Sequence, residues 1–186
     1  GAKLSTTNYK WVSSLLLNGS TDYVTLPDSA SWDFGAGDFT IDCWARFTSV
    51  AGVPNKTIAS QWQGPANIGW IFWYIEGTGL WFNYSANGSS TLSAGVAWSA
   101  SINNWYHLAV VRNGNVFSIF VNGTSIVTTT DADSIPNFAA SLLIGTKDTT
   151  VQFLFGWIDE LRLSTAARWV SDFTVPTAAY TSTSPI

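Results

Sequence analysis

The run Trp105-Tyr106-His107-Leu108-Ala109-Val110-Val111-Arg112, followed by Asn113-Gly114, then Val116-Phe117-Ser118-Ile119-Phe120-Val121 and Asn122-Gly123, constrains the fold more than any other part of the chain. Asn-Gly between apolar, β-branched and aromatic runs is the strongest short-range hairpin signal, because both central residues of the tight turn take φ > 0. The two runs therefore read as a long antiparallel hairpin turning at Asn113-Gly114. Apolar side chains occupy both alternating faces, Tyr106, Leu108 and Val110 on one and Trp105, Ala109 and Val111 on the other. A sheet with one wet face would alternate more cleanly, so the hairpin is expected inside a two-layer structure.

Similar runs, bounded by Gly, Asn, Asp, Pro or Ser, recur from end to end, and no stretch keeps a 3.6-residue apolar period long enough for a helix. Strands are expected at 14–17, 22–26, 39–47, 57–61, 69–75, 79–84, 96–98, 105–112, 116–121, 124–129, 142–144 and 155–164. That is too many for one open sheet, and two antiparallel sheets packed face to face bury the largest share of such a chain. The fold class is therefore all-β, a two-sheet antiparallel β-sandwich. It is expected as one domain over 1–186, with its core at about 14–176 and an irregular C-terminal tail. A short helical turn is expected at 166–169. Loops are expected at 28–34, 131–138 and, longest of all, 50–69 around a short strand; long loops on a rigid sandwich are where recognition usually sits.

Charged residues make up only 11% of the chain, with eight Lys plus Arg and a net charge of −4. The surface must therefore be coated with small neutral polar groups, which suits neutral partners. Without a basic cluster there is no counterion-releasing patch for a phosphate backbone, so nucleic acid and anionic membrane are disfavoured. No run approaches the ~18 apolar residues of a membrane span, and no basic-then-apolar signal segment is present, so membrane insertion is not expected. A chain that starts at Gly1 and contains no Met reads as a trimmed or processed product. Cys43, the single cysteine, alternates with Ile41 and Ala45 and reads as a buried thiol.

Five phrases in order carry a family resemblance: Leu16-Leu17-Asn18-Gly19-Ser20-Thr21-Asp22-Tyr23-Val24, Gly37-Asp38-Phe39-Thr40-Ile41-Asp42-Cys43-Trp44, Asn104-Trp105-Tyr106-His107-Leu108-Ala109-Val110, Phe120-Val121-Asn122-Gly123, and Gly156-Trp157-Ile158-Asp159-Glu160-Leu161-Arg162-Leu163-Ser164. Together they resemble the laminin-G-like branch (LamG-3 or pentraxin-like) of the concanavalin A-like lectin/glucanase superfamily, over roughly residues 14 to 176. The following segment, from Ala166-Ala167-Arg168-Trp169 to Pro176-Thr177-Ala178, looks like the ending of such domains in bacteriophage virion and tail proteins. The resemblance implies a jelly roll whose first and last core strands are adjacent. It also implies binding, to glycan or another protein, at an extracellular or virion surface.

The related glucanases carry a Glu-x-Asp-x-x-Glu pattern whose carboxylates face one cleft. Nothing here matches it. Glu occurs only at Glu76 and Glu160, and the neighbours Asp159 and Glu160 on one strand are expected to point to opposite faces. No catalytic residue is expected, and the chain reads as a non-enzyme. His107, the only histidine, reads as a packed, hydrogen-bonded strand residue. No His/Cys metal spacing and no phosphate-cradling glycine loop is present. Calcium takes roughly six to eight hard oxygens. In related domains a calcium ion can tie the N-terminal strand region to the last strand, and the matching positions are Asn18, Asp22 and Asp159. Asn18 departs from the Asp common there and removes one charge. The competing reading is that Asn18-Gly19 is simply a turn and that Asp159 accepts backbone N–H bonds.

Eleven Trp, eleven Phe and six Tyr exceed what a core of this size needs, and Trp is awkward to bury because its indole N–H wants a partner. The densest cluster is Trp62, Trp70, Phe72, Trp73, Tyr74, Trp81, Phe82 and Tyr84. Alternation puts Trp70, Phe72 and Tyr74 on one face and Ile71, Trp73 and Ile75 on the other, and only one set can line a groove. A neutral sugar offers a flat C–H face to an aromatic ring and hydroxyls to amides. Trp62 with Gln61, Gln63 and Asn67, and Trp81 with Asn83, supply that mixture, and Trp98 is a weaker candidate. Asn18, Asn55, Asn83, Asn87 and Asn122 begin Asn-x-Ser/Thr acceptor sequences, several of them explained by Asn-Gly turns.

The leading expectation is a non-catalytic, lectin-like, carbohydrate-binding domain for neutral glycan or cell-surface polysaccharide, with a structural calcium ion (Ca2+). The alternative is a structural or adhesion module of a phage virion or tail that binds protein and self-associates as a homo-oligomer.

Overall fold

Short connections and a two-residue apolar period allow these strands to pair only antiparallel, since parallel pairing needs long crossovers. The computed structural model describes residues 1–48, 55–64 and 67–181. The strands are β1 (Lys3–Ser5), β2 (Ser14–Asn18), β3 (Val24–Leu26), β4 (Phe39–Phe47), β5 (Asn55–Trp62), β6 (Ile68–Ile75), β7 (Gly79–Tyr84), β8 (Leu92–Val96), β9 (Trp105–Asn113), β10 (Val116–Val121), β11 (Thr124–Thr130), β12 (Leu142–Ile144) and β13 (Phe155–Ser164). One sheet has seven strands in the order β1-β2-β13-β4-β9-β10-β11, and the other has six in the order β3-β12-β5-β6-β7-β8. The first and last core strands, β2 and β13, pair with Leu16 opposite Trp157, as a jelly roll requires.

The inner faces meet in an aromatic core. Tyr84 and Phe117 stack across it at 4.8 Å and 7°, and Phe82 lies against both. Each fully buried Phe contributes about 1.5–3 kcal/mol. Ile41, Cys43, Ala45 and Phe47 point inward from β4. Burial, reinforced by the nearby Asp42 and Asp159 carboxylates, holds the Cys43 thiol well above its ordinary pKa, so it stays protonated and inert.

The hairpin forms, with one turn displaced by a residue. Asn122-Gly123 joins β10 to β11 with both residues left-handed, at φ 50° and 82°. Asn113, however, pairs with Val116, so Gly114 and Asn115 make the first turn. Of these only Gly114, at φ 59°, is left-handed, the type II′ pattern. Two bonds hold Gly114 there: its N–H donates to Asp38 Oδ1 at 2.7 Å, and its carbonyl accepts from Arg112 Nε at 2.8 Å.

The second apolar face of the hairpin is covered by the chain's own tail, not by the other sheet. Ala109, Val111 and Phe120 pack under Trp169 and Phe173, whose rings stack at 3.9 Å and 5°. No helical turn forms at 166–169. The Thr40 hydroxyl donates to the Ala166 carbonyl at 2.8 Å and accepts the Arg168 N–H at 3.0 Å, capturing groups that a turn would pair internally. A 3₁₀ turn lies instead at Ala30–Trp32, inside the expected 28–34 loop, capped by Ser29. β1 was not expected, β8 precedes its expected position at 96–98, and β5 fills much of the expected 50–69 loop. Residues 50–54 and 65–66 of that loop lie outside the described residues.

In β13, Asp159 stands opposite Trp44 and Arg162 opposite Asp42, so Glu160 and Leu161 together face Cys43. This is a β-bulge, with Glu160 at φ 52°. It leaves Asp159 and Arg162 both on the outer face. Among the described residues no helix is long and apolar enough to cross a membrane.

Candidate functional site

On the six-stranded sheet, Trp70, Phe72 and Tyr74 turn into the core and are 0–2% exposed, which leaves Trp73 on the outer face. There it stands opposite Trp81 of β7, and Trp81 stands opposite Gly95 of β8. A Cβ on Gly95 would lie 2.2 Å from the Trp81 ring, so the half-buried indole rests directly on the glycine backbone. Trp73 Nε1 donates to Asn83 Oδ1 at 2.7 Å, and Asn83 Nδ2 donates to Ser93 Oγ at 2.6 Å. A chain of bonds thus crosses three strands and fixes the amide beside the Trp81 platform. The Trp81 Nε1–H is covered and unpartnered. Asn83 retains one amide hydrogen and one lone pair for a ligand.

The other predicted set sits at the β5–β6 tip. Trp62 is half-buried with Lys147 Nζ 4.8 Å from its ring centre, and Gln63 and Asn67 are exposed, joined by Gln63 N–H to the Asn67 carbonyl at 2.9 Å. Gln61 is not at this surface. It is 2% exposed, and its amide donates to Asp28 Oδ1, Phe138 O and Ala140 O, tying two loops to the sheet. Trp62 pairs with Ile68, while Trp81 pairs with Trp73, five positions along β6 and roughly 16 Å away. The two sets are therefore separate places. Trp98 packs edge-on against Tyr74 and Tyr106 at 5.6 and 5.0 Å and closes one end of the core.

Of the three residues expected to hold calcium, Asn18 and Asp22 lie side by side, and Asp159 stands apart from them. Asn18 Oδ1 accepts the N–H groups of Ser20, Thr21 and Asp22 at 2.9–3.0 Å, so it builds a turn. Asp22 is buried and lies 3.2 Å from the Gly1 nitrogen. Asp159 is four positions along β13 from Phe155, the partner of Asn18, and its Oδ2 accepts from Lys10 N at 2.8 Å and Trp11 N at 3.2 Å. Among the described residues no three His, Cys, Asp or Glu come together as a metal site. Asn18 Oδ1 and Asp159 Oδ2 are thus engaged by backbone N–H groups, and Asp22 Oδ1 by the Gly1 amine.

Residues 18–172 match the family model Laminin_G_3, described as the concanavalin A-like lectin/glucanases superfamily. The chain belongs to this laminin-G-like family. No curated protein sequence matches it. Among solved structures it is similar to the binding domain of botulinum neurotoxin DC in complex with SialylT, with a TM-score of 0.69 and 19% identity, covering 90% of this chain and 42% of that one. It is also similar to a botulinum neurotoxin type C structure whose description makes cell entry dependent upon interaction with two ganglioside molecules (TM-score 0.67, 19% identity, 90% and 42% covered). The neurotoxin DC binding domain in complex with rat synaptotagmin II gives 0.67, 18%, 89% and 42%. The laminin-G-like chain thus spans about two fifths of those toxin chains, and the likeness is one of fold.

The outer face of the seven-stranded sheet in this laminin-G-like domain holds a polar cluster that sequence reasoning missed. Arg162 grips the buried Asp42 with two bonds, Nε to Oδ1 at 2.9 Å and Nη2 to Oδ2 at 3.0 Å. The Tyr180 hydroxyl also donates to Asp42 Oδ2. His107 Nε2 lies 3.3 Å from that oxygen and 3.1 Å from the Tyr180 hydroxyl. Burial first, then the charge and hydrogen bond of Asp42, push the Tyr180 hydroxyl far above its ordinary pKa. Glu160 Oε2 accepts the Tyr180 N–H at 2.5 Å, so the bulge brings Asp159 and Glu160 to the same side, contrary to strict alternation. Each carboxylate holds a backbone segment. The available signal was Asp42, a charge alternating with Thr40 and Trp44 on a strand whose other face is entirely apolar.

Proposed function

We propose that this chain is a non-catalytic carbohydrate-binding module, displayed at an extracellular or virion surface, that takes a neutral glycan on the outer face of its six-stranded sheet. The observation that carries this reading is the Trp81 indole seated on Gly95 with Asn83 locked beside it by Trp73 and Ser93. A flat ring backed by backbone, with an amide held in a fixed orientation, offers stacking and hydrogen bonding to a sugar with little ordering cost. Trp62, Gln63 and Asn67 supply a second contact point at the β5–β6 tip. The non-catalytic reading is supported by the engagement of Asp159 and Glu160 with backbone N–H groups, which leaves no free acid/base pair on β13. The toxin domains of similar fold, named with SialylT and gangliosides, support glycan binding as a use of this architecture.

The test is titration of the domain with neutral oligosaccharides, alongside Trp81→Ala and Trp62→Ala. Saturable binding lost in Trp81→Ala, with the melting temperature retained, is expected. Binding that survives both substitutions would remove this face from the reading.

A second reading, a structural or adhesion module of a phage virion or tail, is favoured by Leu4, Val12 and Val170, which are 75%, 75% and 69% exposed. It predicts self-association visible by light scattering and absence of glycan binding.

A further inference from the structure

The eight Lys and Arg are unevenly placed. Lys56 and Arg112 are buried, and Lys147 lies over Trp62. The remaining five gather at the outer face of the seven-stranded sheet: Lys3, Arg46 and Arg162 on its strands, Lys10 with Nζ 3.9 Å from the Trp44 ring centre, and Arg168 bonded to Ser164 Oγ at 2.7 Å. Arg162 is matched by Asp42. Among the described residues, Lys3, Lys10 and Arg46 stand in no ion pair. The same face also carries Asp42, Asp159 and Glu160, so its small excess of positive charge lies with Lys3, Lys10 and Arg46.

Strand register places part of that face in a straight row. Lys3, Leu16, Trp157, Arg46 and Trp105 are successive cross-strand partners on β1, β2, β13, β4 and β9, spanning roughly 19 Å. The Arg46 guanidinium lies 4.6 Å from the Trp157 ring centre. Its Nε donates to Asn103 O at 2.9 Å and its Nη1 to Asn8 Oδ1 at 3.2 Å. The cation is thus held over one ring; Nη2 makes no hydrogen bond among the described residues, so the Nη1–Nη2 edge keeps a hydrogen on each nitrogen for a ligand.

We propose that this row is a second binding site, for an acidic glycan, in which Arg46 receives a sugar carboxylate and the flanking Trp105 supports the C–H face of a ring. The guanidinium edge matches the planar carboxylate, and its hold on Trp157 removes the ordering cost of a long side chain. Three unpaired cations spread over one sheet face are too few to compete for a phosphate backbone. The aromatic rings favour a sugar over an acidic peptide. The site shares with the preceding section the reading that the domain binds glycan, but none of its residues.

The test uses the whole chain titrated with oligogalacturonate and with sialyllactose, each against the same oligosaccharide with its carboxylates reduced to alcohols. Saturable binding of at least one acid form is expected, weakened about tenfold or more by reduction and by Arg46→Gln, and falling with added salt. Arg46→Lys should weaken it too, because the charge stays while the fork is lost. Trp81→Ala should leave it unchanged, whereas neutral-glycan binding should show the opposite dependence, which separates failure of this site from failure of the Trp81 face. Thermal melts confirm that each variant folds; if Arg46→Gln does not, Trp105→Ala serves in its place. Equal binding of acid and reduced forms, indifference to Arg46, preference for a poly-glutamate peptide, or no binding of either acid would each overturn the proposal.

Discussion

The two sheets treat their outer faces in opposite ways. The seven-stranded sheet carries buried charge and apolar surface there, and covers them with its own loop at Lys10 and Trp11 and with the tail from Ala166 to Tyr180. On β6 to β8 the six-stranded sheet turns Ile71, Trp73, Ile75, Trp81, Asn83 and Ser93 outward, and its Trp73, Asn83 and Ser93 side chains are joined by their own hydrogen bonds across the three strands. Covered faces are held by long-range contacts, whereas bare faces are organised by neighbours in register. Covered surface, such as that under the tail, is therefore structural and sensitive to substitution, while surface left uncovered, the Trp81 face and the Lys3 to Trp105 row alike, is free to be used.

The sharpest way to break this contrast is Asp42→Ala. Removing the carboxylate leaves Arg162, His107 and Tyr180 without their common partner, and a loss of about 3–5 kcal/mol is expected by chemical denaturation. Next comes Gly123→Ala. Its Cβ would sit 2.0 Å from the Phe173 carbonyl oxygen, at a residue with φ 82°, so tail backbone must move. A cost of about 1–3 kcal/mol is expected, with rapid proteolytic cleavage between 165 and 181.

Alkaline titration probes the same strap. The Tyr180 hydroxyl is held above its unfolded pKa of about 10, so the folded chain keeps a proton that the unfolded chain releases. Stability is whole below about pH 10 and declines as pH rises past it. Tyr84, raised by burial and its bond to Asp131, adds to the decline, so Tyr180→Phe should remove only the Tyr180 share, read by Trp fluorescence. Gly95→Ala should matter less than Gly123→Ala. Its Cβ meets the Trp81 ring at 2.2 Å, a side chain that can rotate outward, so less than about 1 kcal/mol is expected, with loss of neutral-glycan binding. Smallest of all, melting temperatures in millimolar calcium and in chelator should coincide; a rise of several degrees with calcium would return Asn18 and Asp22 to a metal site.

Alternation along β4, β6, β7 and β9 was readable because a period of two needs no knowledge of the rest of the molecule. It placed Cys43 inward and separated Trp73 from Trp70 correctly. The Asn113-Gly114 turn was displaced because Asp38, far away in sequence, holds the Gly114 N–H. Gln61 looked like a surface amide in a loop, but three distant acceptors draw it inside. The apolar second face of the hairpin was legible as needing cover, while the identity of the cover was not, because residues 165–181 have no period to announce where they lie. Asp42 was hidden for the same reason: its partners, His107, Arg162 and Tyr180, converge only through strand order and the tail.

The extra residue in β13 sets the phase of everything after it. Up to Asp159 the strand alternates with one parity, and from Arg162 onward with the other. Read as unbroken alternation, the same letters would send the Arg162 guanidinium into the sandwich and Leu163 out toward the tail. Deleting Glu160 or Leu161 would close the bulge with inside and outside unchanged on either side of it, so the injury is loss of the local geometry that holds the Tyr180 N–H, not an exchange of faces along the strand that closes the jelly roll.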